Sequence, residues 1–348
     1  MKSFEYDYLI YQPISQSLLM AVRAIGEYKG RERLYQQQFP EVIKSLQQAA
    51  IIHSTESSNR IEGIIVPEAR IRSIISSDSK PRNRPEQEVA GYKDILGIIH
   101  ANYEKFAVTP QLLLNWYKQL YRYTDEISTG FKQKDNAIME VLPEGKMVIR
   151  FKPVTASGTP KAIESLCKKY NICIAEKRAE PLLAIASFVL DFECIHPFKD
   201  GNGRLGRLLT LFLLYKAGYQ VGRYISLERI VEESKESYYD ALYKSSQNWH
   251  DGEHDLIPWW NYLLGTIIAA YKEFEDRIGK ISVAKGAKKE LVYSAIEKLP
   301  DEFAYGDVQR ACPSISYATI KRALQELREK KLIMTIGKGR DAKYAKRT

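Results

Sequence analysis

The residues of this chain that could do chemistry together lie within twelve positions, 196–207. His196 can accept a proton near neutral pH, and Asp200 supplies a carboxylate suited to a metal ion. Arg204 and Arg207 follow at a spacing of three, and glycines lie between them and Asp200. These residue types within so short a segment predict a site that handles a nucleotide.

The backbone of this segment supports the same interpretation. Residues 200–203, Asp-Gly-Asn-Gly, read as a loop that enters an apolar helix. Such a loop directs unpaired amides and the positive end of the helix dipole at one point, which favours phosphate. Arg204 and Arg207 would share a helix face in the first turn, where an anion would offset their charge. Each feature also has a structural explanation, as a turn, a helix cap or a solvated face.

The segment resembles the Fic family signature, HPF-x-[DE]-GN-[GK]-R-x-x-R, at all nine specified positions. The resemblance implies transfer of AMP from ATP to a hydroxyl side chain of a target protein, with attack in line on the α-phosphorus and pyrophosphate leaving. His196 would be the base, and Asp200 would hold Mg²⁺. Arg204 would stabilise the loop or the phosphates, and Arg207 would bind the γ-phosphate. The resemblance also places nucleotide contacts at Gly201, Asn202, Gly203, Leu205 and Gly206.

Residues 58–63, Ser-Asn-Arg-Ile-Glu-Gly, resemble the inhibitory motif of that family, [ST]-x-x-x-E-[GN]. In a helix Ser58 and Glu62 share a face, and Gly63 suits a helix end. The resemblance implies that Glu62 pairs with Arg207 in place of the γ-phosphate and so restrains transfer. In some relatives such a glutamate serves the removal of AMP, so that a de-AMPylase or a bifunctional enzyme is the alternative.

Two further segments fit the same family. Residues 136–153 contain two β-prone runs around Pro143-Glu144-Gly145 and predict a hairpin, which would be the flap that holds the target protein. Residues 237–242 resemble the tyrosine-bearing segment near the nucleotide, with Tyr239 as the expected contact. The full motif favours ATP, and UTP or CDP-choline are the other donors that such relatives use.

The hydrophobic periodicity predicts a mainly α protein. The resemblance implies a Fic-type helical bundle with a small hairpin flap, and the C-terminal pattern resembles a winged helix-turn-helix. Helices are expected at 40–54, 109–123, 181–192, 205–217, 233–246 and 256–278, and a loop at 78–88. The predicted domains are a helical region with the inhibitory motif (1–106), a catalytic domain (107–280) and a winged-helix domain (281–348).

The winged-helix domain is expected to contain helices at 288–299, 305–311 and 317–329, then two strands around Gly337-Lys338-Gly339. Ser314-Ile315-Ser316 would open the recognition helix. Residues 281–348 contain 15 Lys and Arg against eight Asp and Glu, whereas the whole chain has a net charge of +9. This excess favours contact with DNA or with an acidic protein, and makes a nucleotide-sensing DNA-binding regulator the second functional hypothesis.

The overall composition is that of an ordinary globular protein, with 45% hydrophobic and 27% charged residues. Four scattered cysteines and five histidines give no zinc-site spacing, which favours free thiols in a reducing cytoplasm. No apolar run suits a signal peptide or a membrane span, so a cytoplasmic location without membrane contact is expected. A homodimer is a further expectation, from the presence of a buried regulatory helix.

Overall fold

The fold is mainly helical with two small sheets, as the sequence predicts. The computed structural model describes residues 2–76, 79–124, 130–141, 145–283, 287–312, 315–337 and 343–347. Within these ranges, no helix combines the length and the apolar character that a membrane span requires.

Fourteen α-helices and five strands occur in the described ranges, with short 3-10 turns between some of them. The helices are α1 (Gln16–Gln38), α2 (Pro40–Ile61), α3 (Glu68–Ser76), α4 (Arg84–Asn102), α5 (Pro110–Leu120), α6 (Thr159–Ala175), α7 (Pro181–Ile195), α8 (Asn202–Lys216), α9 (Leu227–Glu233), α10 (Lys235–Ser246), α11 (Ile257–Val283), α12 (Ala287–Lys298), α13 (Tyr305–Ala311) and α14 (Tyr317–Glu329). The strands are β1 (Ile138–Val141), β2 (Met147–Phe151), β3 (Glu302–Ala304), β4 (Ile333–Ile336) and β5 (Lys343–Lys346).

The chain divides into two compact units. The first contains residues 1–29 and 46–271, and the second contains residues 30–45 and 272–348. The division falls within α1, α2 and α11. The three domain boundaries expected from the sequence stay predictions.

Helices α7 and α8 form the centre of the first unit. Every residue of α7 from Leu182 to Ile195 is buried, because the helix is apolar on nearly all sides and needs protein around it. Pro181 occupies its first turn, and the carboxylate of Glu180 accepts the amides of Leu182 and Leu183 there. This capped, buried helix carries His196 at its end.

The predicted loop at 78–88 is too long, because α4 begins at Arg84. Asn83 caps this helix by accepting the amide of Glu86 at 3.0 Å. Pro85 lies in the first turn, where a missing amide hydrogen costs nothing. Two prolines therefore mark a helix start here rather than an extended loop.

The helix expected at 233–246 is present as α10, which begins two residues later than predicted, at Lys235. A separate short helix, α9, precedes it, and the two meet at Ser234. The Ser234 amide donates to the carbonyl of Ile230 at 3.1 Å at the end of α9, and its hydroxyl donates to the same carbonyl at 2.7 Å. The short polar side chain thus satisfies the backbone where one helix ends and the next begins.

The predicted hairpin at 136–153 is confirmed. Strands β1 and β2 pair antiparallel, with Glu140 opposite Val148 and a register shift between Ile138 and Met139. Residues 142–144, which include Pro143 and Glu144 of the predicted turn, lie outside the described residues. Gly145 has φ of 78°, the left-handed region that glycine adopts readily.

In the second unit, α12, α13 and α14 pack with a three-stranded sheet in the order β3-β5-β4. Strand β3 was not predicted from the sequence, because a strand of three residues is too short to show a periodic pattern of apolar residues. Phe303 of β3 belongs to a buried cluster with Val292, Ile320 and Leu324. Ser314 and residues 338–340 of the expected wing lie outside the described residues.

Helix α4 gives a matched test of packing near the site. A methyl group at Gly91 would lie 2.0 Å from the carbonyl oxygen of Leu120 in α5, whereas nothing lies within 4 Å of one at Gly97. We expect Gly91→Ala to destabilise the protein by about 1–3 kcal/mol through overpacking. Gly97→Ala should be neutral or stabilising by up to about 1 kcal/mol, since alanine favours a helix. Melting temperatures of the two variants test this, and equal effects would contradict the close approach of α4 and α5.

Candidate active site

The turn between α7 and α8 is held by its own side chains. His196 ends α7 in the left-handed conformation, with φ 49° and ψ 62°, and its amide donates to Phe192 at 2.9 Å. Asn202 bonds Phe198 twice, accepting its amide and donating to its carbonyl, both at 2.9 Å. The Asn202 side chain therefore fixes the turn through one accepted and one donated hydrogen bond.

Tyr117 and Lys132, which lie outside the turn, anchor it through packing and hydrogen bonds. The fully buried ring of Phe198 stacks on Tyr117, with ring centroids 4.0 Å apart. The buried ammonium of Lys132 donates to the carbonyl of Ile195 at 3.1 Å, and its amide donates to Pro197 at 2.8 Å. These contacts hold His196 in an uncommon backbone conformation that the turn alone would not maintain.

His196 has the properties of a neutral base. Its Nδ1 lies 3.3 Å from the carbonyl oxygen of Glu193, an acceptor that favours a proton on Nδ1 and a free lone pair on Nε2. Burial lowers the pKa of His196 from 6.5 to about 4. The imidazole is therefore neutral at physiological pH, which is the form that accepts a proton.

Asp200 lies at the exposed side of the turn, with 62% of its side chain accessible. Its Oδ1 accepts the amide of Gly201 at 2.6 Å, and its Oδ2 lies 3.9 Å from Arg204. No group of three or more His, Cys, Asp or Glu side chains placed to hold a metal occurs in the described ranges. One accessible carboxylate fits Mg²⁺, which completes its shell with substrate phosphates and water.

The start of α8 is open to an anion. Gly201 is the N-cap in the left-handed conformation, and no side chain of the described residues caps the helix. The first amides of α8 therefore have no acceptor within the helix. Leu205 does not take part, because it is fully buried and its amide donates to Gly201 at 3.0 Å. The nucleotide contact predicted for Leu205 does not fit this placement.

Arg204 faces the interior rather than a nucleotide. It is 1% exposed, forms an ion pair with Glu88 at 2.7 Å and donates to the hydroxyl of Tyr121 at 2.8 Å. Of the two roles that the resemblance allowed, stabilising the loop fits this geometry and binding phosphate does not.

Arg207 is held by Ser58 and Glu62, two residues of the predicted inhibitory motif. Helix α2 extends beyond the predicted 40–54 to Ile61, which brings the motif to α8. Arg207 Nε donates to Ser58 Oγ at 2.9 Å, and Nη2 donates to the Ser58 carbonyl and to Glu62 Oε1, both at 2.8 Å. Gly63 follows with φ of 79°, and its amide donates to Arg60 at 2.9 Å. Ser58 and Glu62 thus act on one guanidinium from one helix end.

The guanidinium of Arg207 keeps one donor unused. Nη1 is buried and has no acceptor among the residues described. It lies over Gly203, where a methyl group would come within 3.2 Å of it and within 2.4 Å of Glu62 Oε1. Burial opposes the charge of Arg207, but pairing with Glu62 outweighs it and raises the pKa of the guanidinium. A buried cation with a spare donor beside a glycine suits a phosphate oxygen.

Several of these groups face one cavity of about 370 Å³, a volume in the range of small-molecule sites. The cavity lies between the end of α7, the start of α8, helix α10 and the hairpin. It brings together five of the predicted site residues: Glu62, His196, Gly203, Arg207 and Tyr239. The others border the site without lining the cavity: Ser58, Gly63, Asp200, Gly201, Asn202, Arg204, Leu205 and Gly206.

Tyr239 lies on the α10 side of this cavity, where burial and then nearby Glu62 raise the pKa of its hydroxyl to about 12. Its carbonyl accepts a hydrogen bond from Arg150 of β2 at 2.9 Å. The hairpin is therefore fastened to the helix that carries the predicted nucleotide contact.

The comparisons with known proteins agree with this arrangement. Residues 107–214 match the model of the Fic/DOC family. The chain contains a Fic domain. The hairpin and the α7–α8 turn with His196 all lie inside the matched segment, whereas Glu62 and Tyr239 lie on either side of it.

The chain is also similar to proteins named for this domain. It is 38% identical over 65 residues to a Fido domain-containing protein of Dictyostelium discoideum, covering 18% of this chain and 46% of that protein. It is 26% identical over 157 residues to a probable protein adenylyltransferase of Aquifex aeolicus, covering 44% and 43%. The chain thus spans less than half the length of these curated relatives.

A crystal structure of a Fic family protein from Desulfovibrio desulfuricans G20 shares the fold. It superposes with a TM-score of 0.63 over 97% of this chain and 98% of that one, at 20% identity. The likeness therefore extends beyond the Fic domain to nearly the whole chain.

The sequence did not point to three residues that shape the Fic site: Glu88, Lys132 and Glu193. Glu88 pairs with Arg204 from α4, far away in the sequence, and no local pattern reveals such a partner. Lys132 reads as an ordinary surface lysine. Glu193 could have been found from the sequence. It lies in the last turn of an apolar helix, three residues before His196, and a glutamate is rarely buried in such a helix without a specific role.

The protonation of His196 can be measured directly. Because burial lowers its pKa to about 4, we expect the ligand-free imidazole to titrate near pH 4 in NMR spectra, with its signal assigned by comparison with His196→Ala. The unfolded chain takes up this proton first, so the His196 contribution to stability is lost as the pH falls from 6.5 towards 4. A titration midpoint near 6.5 would contradict the burial described for this ring.

Proposed function

We propose that this protein transfers AMP from ATP to a hydroxyl side chain of a target protein, and to itself, under the restraint of Glu62. The observation that carries the proposal is that His196 and Arg207 line the same cavity beside the hairpin. His196 would supply the base, Arg207 would bind phosphate, and the hairpin would bind the target peptide, all at one cavity. The match to the Fic/DOC family supports the same reaction class.

The reaction would proceed by displacement at phosphorus. Neutral His196 takes the proton of the target hydroxyl at Nε2 while Nδ1 stays bonded to the Glu193 carbonyl. The hydroxyl oxygen bonds to the α-phosphorus of ATP, the bond from that phosphorus to the bridging oxygen of the β-phosphate breaks, and pyrophosphate leaves. Catalysis of this kind rests mainly on positioning and on charge stabilisation.

The phosphates would lie at the start of α8. The unpaired amides of the first turn face them, and Arg207 offers Nη1 together with the donors that Glu62 and Ser58 now occupy. Asp200 would hold Mg²⁺, which would neutralise part of the phosphate charge. Gly203 fits this role because any side chain there would fill the space over Arg207.

The target would bind along the hairpin. Strands β1 and β2 pair only with each other among the described residues, so an edge remains for an extended segment to join. Met139, Met147 and Ile149 are exposed on this hairpin and would contact apolar side chains of the target.

Glu62 would restrain the enzyme by holding Arg207. A triphosphate that cannot reach Arg207 binds with its α-phosphate displaced from the line of attack, and a displacement of about 1 Å can cost on the order of 10²-fold in rate. The alternative use of Glu62, to direct water at an AMP-modified target, would make the protein a de-AMPylase or a bifunctional enzyme. Incubation with an AMP-modified target and release of free AMP would favour that alternative.

Label transfer tests the proposal. With α-³²P-ATP and Mg²⁺, Glu62→Gly should incorporate on the order of 10²-fold more label than wild type, because Arg207 becomes free for the γ-phosphate. His196→Ala in the same background should lose at least about 10²-fold, because the base is absent. Replacing ATP with UTP or CDP-choline, each labelled in the transferred group, identifies the donor.

Glu56→Gly is a matched control on α2, since Glu56 pairs with Arg60 and not with Arg207. It should behave as wild type. Equal labelling of Glu62→Gly, Glu56→Gly and wild type would refute the restraint, and no label in any variant with any donor would refute the transferase.

The second unit supports a separate candidate function, the binding of duplex DNA. Helix α14 buries Ile320, Ala323, Leu324 and Leu327 and exposes Lys321, Arg322, Gln325 and Arg328 on its other side. Residues 281–348 also contain 15 Lys and Arg against eight Asp and Glu. An exposed basic helix face with an Arg and a Gln is suited to phosphates and base edges.

Affinity for duplex DNA at several salt concentrations tests this candidate. Binding should fall steeply with salt, and Lys321→Ala and Arg322→Ala should each reduce the logarithmic slope by about 0.9 if they contact phosphates. Lys298→Ala, an exposed cation at the end of α12, is the control and should leave the slope unchanged. No binding at low salt would exclude DNA and leave a protein partner for this unit.

A further inference from the structure

Glu193 is a buried acid that the proposed mechanism does not use. It lies in the last turn of α7, is 8% exposed and lines the cavity. The other acid of this helix, Asp191, accepts hydrogen bonds from Ser3 and from the indole of Trp249. Glu193 differs, because its Oε1 is buried without a partner among the described residues. A buried oxygen of this kind calls for a ligand.

The position of that oxygen is defined by α8. A methyl group at Gly206 would lie 2.0 Å from Glu193 Oε1, and one at Gly203 would lie 2.4 Å from Glu62 Oε1. Gly203 and Gly206 are three residues apart and share one face of the helix. The carboxyl groups of Glu62 and Glu193 therefore lie about one turn apart along α8. Arg207, which follows Gly206, belongs to the same helix.

Charged and titratable groups face Glu193 from four directions: Glu62 after the end of α2, Arg207 on α8, Tyr238 and Tyr239 on α10, and Cys194 and His196 at the end of α7. Burial raises the pKa of Glu193 to about 8, Arg207 opposes this and Glu62 adds to it. His196 is neutral near pH 7, so one cation faces two carboxyl groups. Glu193 is then a neutral acid that carries a proton it can donate.

We propose that Glu193 is a nucleotide-binding residue whose carboxylic acid group donates a hydrogen bond to a phosphate oxygen held beside Arg207. The inference rests on the proposed function, which brings a polyphosphate to Arg207 in place of Glu62. A neutral acid gives that phosphate a donor, whereas an ionised carboxylate in the same place would repel it. Nucleotide affinity in the unrestrained protein should therefore fall as Glu193 ionises.

The test uses the full chain with Glu62→Gly and the non-transferable analogue α,β-methylene-ATP with Mg²⁺. Calorimetric titration between pH 7 and pH 9.5 should show affinity weakening by about tenfold or more, since loss of a required proton costs up to tenfold per pH unit. Glu62→Gly with Glu193→Gln keeps a neutral donor of the same shape, and its affinity should change less than about twofold over this range.

Lys132 is the other group that titrates nearby, since burial lowers its pKa to about 8. It is present in both proteins, so only the difference between them reports on Glu193. Proton uptake by the protein on binding the analogue can be measured without substituting Glu193. Titrations of the Glu62→Gly protein at pH 8.5, in buffers of different ionisation enthalpy, should show a fraction of a proton taken up on binding.

Affinity independent of pH and no proton uptake in the Glu62→Gly protein would overturn the inference, and label transfer by the same protein would leave the proposed function standing. The same pH dependence with and without Glu193→Gln would also overturn it, because another group would then be responsible. No binding of the analogue at any pH would overturn both the inference and the proposed function.

Discussion

The charge of Arg207 is the constraint on which the rest of the site depends. The guanidinium is 5% exposed, and leaving such a cation unpaired costs several kcal/mol. In this structure Glu62 and Ser58 supply the acceptors, and they come from the end of α2 rather than from the catalytic helices. Whatever displaces Glu62 must therefore bring an anion of its own. Under the proposed function a terminal phosphate would meet that requirement, so release of Arg207 from Glu62 would be coupled to the arrival of the nucleotide.

The proposed function also accounts for the firm support of the α7–α8 turn. A base at His196 would have to be neutral and correctly placed, and burial keeps His196 neutral while Lys132 and Asn202 hold the turn around it. The ion pair of Arg204 with Glu88 fixes the first turn of α8 from the opposite side. Of the two arginines in the motif, Arg204 thus maintains the scaffold, and under the proposed function Arg207 would exchange Glu62 for a phosphate.

The sequence predicted the helical fold, the hairpin and the residues of the turn, because apolar periodicity and a dense motif are local signals. It misjudged residues 84–88, where Asn83 and Pro85 start a helix, and it missed β3, which pairs only through the distant β5. It assigned Leu205 to the nucleotide and left two roles open for Arg204, because a motif fixes spacing but not the direction of each side chain. Glu88 and Glu193 matter through contacts between helices, and no local pattern encodes those.

Under the proposed function, Glu62 and the γ-phosphate compete for Arg207. The most direct test compares the affinities for ATP and ADP in wild type and in Glu62→Gly, by calorimetry with Mg²⁺. The account predicts similar affinities for the two nucleotides in wild type, because Glu62 denies Arg207 to the terminal phosphate. In Glu62→Gly it predicts that ATP binds at least about tenfold more tightly than ADP, the effect of a gain of about 1.4 kcal/mol. An unchanged ratio between the two proteins would contradict it.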